Sequence, residues 1–314
     1  MQYRTVALKR ISYCGPLFYT PMVIKRLVLE NFRSFKRLDL DLNAHFHVIS
    51  GPNGSGKTTI LEALYFCAYT KSFRTHQIKH FLPQKGGYLN IQAEIIDHEA
   101  TAHIYKYQYL PDGKSHLMLN EEKTKTTETA KLTPCIHIDT NTHRLLASQS
   151  KWRRDFLNFC AFYTVPSYAH DMAYYQKVLI QRNQLLKQRS TYDATLFQGW
   201  DTQLAEYGER ITQARIECLE KLQKLLDAKA PLLMQDLEPP MVCYRSAYGP
   251  HATLAEALEA SRQQDLAMGY THYGPHRGDL ACRTESYPCI LPIYSQGQLK
   301  RLAYTLKLAQ LALV

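Results

Sequence analysis

Residues 51 to 58 read Gly51-Pro52-Asn53-Gly54-Ser55-Gly56-Lys57-Thr58, the spacing G-x-x-x-x-G-K-[ST]. Residues of these types at this spacing can bind phosphate. Glycines let backbone N–H groups close on phosphate oxygens, and several aimed at one point make an anion nest. Lys57 is the side chain to reach the β- and γ-phosphates, and so the candidate catalytic residue. The Thr58 hydroxyl is the candidate Mg²⁺ ligand. The candidate nucleotide-binding set is Gly51, Pro52, Asn53, Gly54, Ser55, Gly56, Lys57, Thr58 and the adjoining Thr59.

Such a loop works between a strand and a helix, because the phosphates then sit at a helix N-terminus where orphan N–H groups and the dipole favour negative charge. The flanks supply both. His45 to Ser50 is β-rich, and from Thr58 to Tyr69 apolar residues recur at Leu61, Leu64, Tyr65 and Ala68, at helical spacing. Val23 to Asn31 and Asp39 to Asn43 alternate, and with the strand before the loop they predict a sheet that opens a nucleotide domain. Further strands are expected from Tyr88 to Leu119, turning at Pro111-Asp112-Gly113-Lys114. The Thr/Lys-rich run 123–131 reads as a loop or an edge hairpin.

The pattern turns helical at Trp152. A second helix is expected after Pro166. A third, short and amphipathic, carries Leu204, Tyr207, Ile211, Ala214, Cys218, Leu222 and Leu225. Strands resume after Pro239-Pro240. One helix is expected over 252–264 and another over 299–313. The organisation that follows is an extension over 1–21 outside the fold, a first lobe over 22–150, a helical arm over 151–238 and a last part over 239–314.

The chain has 314 residues, 45% of them apolar and 21% charged, which suits a globular protein of about two domains. A net charge of +10 favours an anionic partner such as nucleic acid. The basic stretch 71–85, with Arg74, His76, Lys79 and His80 among Phe73 and Phe81, suits a phosphate-contacting surface. The eight cysteines make no C-x-x-C pair, which argues against zinc and for a reducing, cytoplasmic setting. Cys67, Cys160 and Cys218 fall inside apolar helical patterns and read as small buried hydrophobes. No apolar run reaches membrane-spanning length, so no membrane partner is expected. Arg4, Lys9 and Arg10, without a sustained apolar run, argue against a secretory signal.

Ser295-Gln296-Gly297-Gln298 sits where a helix should begin. Together with the early phosphate loop and the helical insertion, this S-x-G-Q run resembles an ABC-type ATPase, in which such a signature grips the γ-phosphate of a nucleotide held by the opposite subunit. More narrowly, residues 22–314 resemble the RecF family of SMC-like ABC ATPases. The likeness is carried by Asn31-Phe32-Arg33-Ser34-Phe35, the 51–58 loop, Lys71-Ser72-Phe73-Arg74-Thr75, and Arg153-Arg154 with Phe156-Leu157. It is carried also by the run 175–186 around Gln181-Arg182-Asn183, by Trp200-Asp201-Thr202-Gln203-Leu204-Ala205, and by Gly274-Pro275-His276-Arg277.

The resemblance implies an α/β, P-loop ABC-type ATPase head with an inserted helical arm. It implies ATP and Mg²⁺ as cofactors, with Arg33, Ser295, Gly297 and Gln298 added to the nucleotide-binding set. It implies an ATP-dependent homodimer that binds single-stranded and duplex DNA near gaps. With RecR- and RecO-type proteins this dimer would help load RecA in recombinational repair and replication, within the DNA-damage response. ATP hydrolysis would be slow and serve switching.

Two departures stand out. No apolar run ending in paired acids follows position 280, so the Walker B part of an ABC head has no counterpart here. The sequence is therefore expected to be a fragment or a truncated product, with weak or absent ATP turnover. Gly278 also stands where the family has an aspartate. A nucleotide-binding remnant, or another SMC-like head acting as an interaction module, is the alternative. A nuclease would need a carboxylate or histidine metal cluster, and none has suitable spacing.

Overall fold

The computed structural model describes residues 7–10, 22–44, 46–75, 77–82, 87–188 and 194–314. The chain divides into two compact units, Met1–His137 and Ile138–Val314.

In the first unit, β1 (Ala7–Arg10) precedes β2 (Val23–Phe32), β3 (Phe35–Asp41) and β4 (His47–Ser50). Helix α1 (Lys57–Tyr69) follows the phosphate loop, and a 3₁₀ turn covers Ile78–Phe81. Then come β5 (Leu89–Ile96), β6 (Ala102–Tyr109), β7 (Ser115–Leu119), β8 (Glu122–Lys123) and α2 (Thr126–Leu132). The main sheet has six strands in the order β3-β2-β5-β6-β7-β8, every neighbouring pair antiparallel. One face is apolar by simple alternation: Leu89, Ile91, Ala93 and Ile95 of β5 are buried, and the residues between them are not. Register places Leu27 opposite Ala93 and Leu29 opposite Ile91. Ile60, Ala63, Phe66 and Cys67 of α1 join these strands in one apolar cluster.

Four expectations change here. β4 pairs with β1 in a separate two-stranded sheet, and not with β2 and β3. Residues 7–10, expected outside the fold, thus contribute a strand, with Ala7 opposite Ser50; the rest of 1–21 lies outside the described residues. β3 starts at Phe35, so Asn31 to Phe35 is a tight turn with Asn31 and Arg33 both at φ 53°. The run 123–131 ends in helix α2, whose Thr129 hydroxyl donates to the Ala68 carbonyl (3.1 Å). His76 and residues 83–85 of the basic stretch lie outside the described residues.

The second unit begins with α3 (Arg144–Ala147), α4 (Ser150–Thr164), α5 (Tyr168–Lys187) and α6 (Ala194–Leu233). β9 (Met241–Arg245), α7 (Leu254–Ala260), α8 (Arg262–Met268), β10 (Asp279–Arg283) and α9 (Gln296–Leu311) complete it. β9 and β10 pair antiparallel. Instead of a short helix, α6 runs for 40 residues, about 60 Å, with Pro231 inside its last turn. Its apolar stripe continues past Leu225 through Leu226 and Ala230, both buried. The helix expected over 252–264 is two helices meeting at Ser261, which caps one and opens the next.

Buried residues of α4, α5 and α6 share one cluster with Leu280 and Cys282 of β10 and Leu299, Leu302 and Leu306 of α9. Cys67, Cys160 and Cys218 are buried, as their apolar surroundings imply. Among the described residues no helix is long and apolar enough to cross a membrane.

Candidate phosphate-binding site

The loop between β4 and α1 bends through left-handed backbone at Gly54 (φ 77°) and Gly56 (φ 94°). Gly56 is the N-cap of α1, with no side chain capping the helix and no acidic residue in its first turn. The positive end of this helix is therefore uncompensated, and its first N–H groups are donors that helix geometry leaves over. Glycine is needed at 56 for a second reason. A Cβ there would run into the Phe35 ring, so the β2–β3 turn lies directly on the loop.

Lys57 Nζ donates to the carbonyls of Gly51 (2.7 Å) and Pro52 (2.8 Å), which folds its cation back over the loop. Ser55 N–H donates to the Pro52 carbonyl (3.2 Å), closing a turn. The Ser55 side chain is buried, and its hydroxyl has no partner among the described residues. A buried unpaired hydroxyl is costly, and a phosphate oxygen would satisfy it. Gly51, Pro52, Asn53, Gly54 and Thr58 are exposed, and Thr59 is buried. The donors present, which are loop amides, one ammonium and hydroxyls, match a polyphosphate with its cation.

Arg33 sits in the turn above. Its Nε and Nη2 donate to Glu62 Oε2 (2.5 Å) and Oε1 (2.6 Å), a bidentate pair. Glu62 is fully buried in α1 and also accepts from the Ser72 hydroxyl. Ser72 Oγ in turn accepts from the N–H groups of Arg74 (2.8 Å) and Thr75 (3.3 Å). The Arg33 guanidinium stacks 5.0 Å over Phe81. Glu62 was missed from sequence. The signal was a carboxylate among Ile60, Ala63 and Phe66, a position that must be paired when buried.

In the second unit Ser295 is the N-cap of α9 and forms a capping box with Gln298. Gln298 N–H donates to Ser295 Oγ (3.3 Å), and Ser295 N–H donates to Gln298 Oε1 (2.8 Å). Two of the four signature residues therefore set the start of the helix. Gly297 is exposed, with Ser295 Oγ 3.9 Å from where its Cβ would stand.

The 175–186 run and Gly274-Pro275-His276-Arg277 meet inside this unit. Arg182 is fully buried and donates to Asp201 (2.6 Å), Asp265 (2.6 Å) and Thr271 Oγ1 (2.8 Å). Asn183 Oδ1 accepts from Thr271 N–H (2.9 Å) and its hydroxyl (2.8 Å). The Tyr175 hydroxyl lies 2.6 Å from His276 Nδ1, and His276 Nε2 lies 3.2 Å from the Thr271 carbonyl. Burial pushes His276 down to about 4. These residues position the 271–278 loop. Gly278 has a local reason as well, since a Cβ there would overlap the Tyr244 hydroxyl.

A family model described as an AAA domain matches residues 26–261. The DNA replication and repair protein RecF of Acinetobacter baylyi is 32% identical over 294 residues, 93% of this chain and 80% of that protein. RecF of a Shewanella species is 31% identical over 290 residues, 92% of this chain and 79% of that protein. A solved structure of the recombination mediator protein RecF-ATP in the RecFOR pathway superposes with a TM-score of 0.83 at 25% identity, covering 94% of this chain and 81% of that one. The fold is thus the mixed α/β P-loop head of RecF-like ABC ATPases. The chain belongs to the RecF family of DNA replication and repair proteins.

Proposed function

We propose that this chain binds ATP with Mg²⁺ at the 51–59 loop and uses the bound nucleotide to control its binding to DNA. The observation that carries this reading is the uncompensated start of α1, fed by a loop with two left-handed glycines and an unpartnered buried Ser55 hydroxyl. Loop amides and Lys57 would hold the β- and γ-phosphates, and Thr58 would ligate Mg²⁺. The metal would neutralise charge between phosphoryl oxygens. Arg33 would add a cation from the β2–β3 turn after leaving Glu62. Ser295, Gly297 and Gln298 would face a nucleotide held by a second copy, making the homodimer ATP-dependent.

Gapped duplex DNA is the nucleic acid we assign to it, with RecR- and RecO-type proteins as partners, RecA loading as the outcome and the cytoplasm as the place. The net charge of +10 fits this. The domain plan that goes with it is a head over 22–150 and 239–314 with a helical arm over 151–238. The test is DNA affinity against salt, with and without ATP. We expect a steep slope, about −0.9 in log K per phosphate contact, and tighter binding with ATP. Flat salt dependence, or indifference to ATP, would contradict the reading.

The capping box at Ser295 and Gln298 favours a second reading of that run alone, as a helix-start signal with no ligand.

A further inference from the structure

Arg154, Arg215 and Arg277 of the second unit form no ion pair with a carboxylate among the described residues. Arg215 of α6 is almost wholly buried, yet it donates to neutral acceptors: Tyr168 Oη (3.2 Å), Tyr244 Oη (3.0 Å), the Pro275 carbonyl (2.7 Å) and Asn158 Oδ1 (2.7 Å). Arg154 of α4 makes one hydrogen bond, to Ser150 Oγ (2.7 Å). Arg277 is exposed and lies 5.4 Å over the Tyr270 ring. Arg154 and Asn158 stand one turn apart on α4. Arg215 reaches from Asn158 to Pro275, two residues before Arg277. The three cations therefore share one corner.

Asp279 and Asp155 attract Arg154 without forming an ion pair with it among the described residues. Asp279 is taken by Arg153 (2.7 and 2.8 Å), with Arg245 Nη2 3.4 Å away. Asp155 acts on Arg154 at longer range. Burial, the largest cause, makes the Arg154 cation less stable than an ordinary guanidinium; Asp279 opposes this, and repulsion from Arg215 and then Arg277 adds to it. The helix start adds to the excess. α4 opens with Lys151, Arg153 and Arg154, no acid in its first turn and no side-chain cap, so cations crowd the positive end of its dipole. Buried charge without a counter-ion is costly. Planar guanidinium donors with free N–H groups are suited to phosphate.

We infer that Arg154 and Arg277, backed by the buried Arg215, form a second phosphate-binding site, distinct from the 51–59 loop. The phosphoryl group comes either from a nucleic-acid backbone or from a free nucleotide. The nucleic-acid arm of the test rests on the DNA-binding reading above.

The experiment compares the full chain with the double variant Arg154→Gln/Arg277→Gln. Three probes are used: a fluorescein-labelled gapped duplex over a salt series, ATP, and inorganic phosphate. Phosphate is read as the rise in unfolding temperature on a Lys57→Ala background. If the phosphate is nucleic-acid backbone, DNA affinity drops about tenfold and the salt slope becomes shallower by about 1.8, two contacts' worth, with ATP affinity unchanged. If it belongs to a nucleotide, ATP affinity drops and DNA affinity holds. A phosphate-dependent rise in unfolding temperature that the double variant loses supports the site even where neither DNA nor ATP binds the parent. Lysine at both positions should keep most binding. Arg277→Gln alone serves if the double variant does not fold. Unchanged response to all three probes in a folded variant overturns the inference.

Discussion

The ring of Phe35 fills the space that a Cβ on Gly56 would need. The β2–β3 turn and the phosphate loop are thus packed onto each other at the residue that opens α1, and Gly56 is also in left-handed backbone at φ 94°. The turn cannot shift without the loop, which is how a strand-connecting segment comes to bear on a phosphate site.

Gly56→Ala should therefore be costly twice. Left-handed backbone costs a non-glycine residue about 1–2 kcal/mol, and displacing Phe35 adds about 1–3 kcal/mol. Urea unfolding should show a loss of at least about 2 kcal/mol. A midpoint equal to the parent's would mean that turn and loop are not packed as described.

Glu62 holds the turn from the other side, through Arg33 and Ser72. Glu62→Gln leaves a partly buried guanidinium without its counter-charge, and breaking such a pair costs about 3 kcal/mol. Arg33→Met/Glu62→Leu, which removes both charges, should recover most of that loss. A double variant as unstable as the single one would count against the pair as the cause.

Much of this was legible in sequence because local pattern and packing agree. The phosphate loop is read from glycine spacing, and β2 from alternation. The contacts of Tyr175 with His276 and of Arg182 with Asp201 explain in physical terms why runs far apart in sequence go together. Other features were hidden. β1 contributes four residues, too short for a periodic signal. The length of α6 was hidden because the apolar stripe was read only from Leu204 to Leu225, while the helix runs from Ala194 to Leu233, past Pro231 in its last turn. Ser295 and Gln298 fit two roles at once, since S-x-x-Q is a capping box as well as part of an ATPase signature. Glu62 was hidden because burial of a carboxylate depends on a partner 29 residues away, beyond any local window.

The two roles at Ser295 can be separated. Ser295→Ala removes the cap and should destabilise the chain by about 1 kcal/mol with no nucleotide present. Gly297→Gln leaves the cap intact, so the unfolding midpoint should hold while ATP-dependent dimerisation, read by analytical ultracentrifugation, is lost. Dimerisation that survives Gly297→Gln would leave the run as a helix cap alone.

His276 gives a pH signature. Burial lowers it to about 4 in the folded chain, against about 6.5 unfolded, so the unfolded state binds more protons between these values. Its contribution to stability is complete above pH 6.5 and is lost as pH falls toward 4. His276→Gln should remove that part of the slope in urea midpoints measured from pH 7 to 4. Identical slopes in variant and parent would show that His276 is not held neutral.

The central claim is that residues 51–59 bind nucleotide phosphates, and the most direct measurement is calorimetric titration of Mg·ATP into the chain and into Lys57→Ala. Lys57 Nζ already lies on the loop carbonyls of Gly51 and Pro52, so the substitution removes a cation without a core contact. The expected result is saturable binding by the parent and affinity at least about tenfold weaker in the variant, or 1.4 kcal/mol, with unfolding midpoints unchanged. Equal affinity in the two chains, or no binding by the folded parent, would contradict the account.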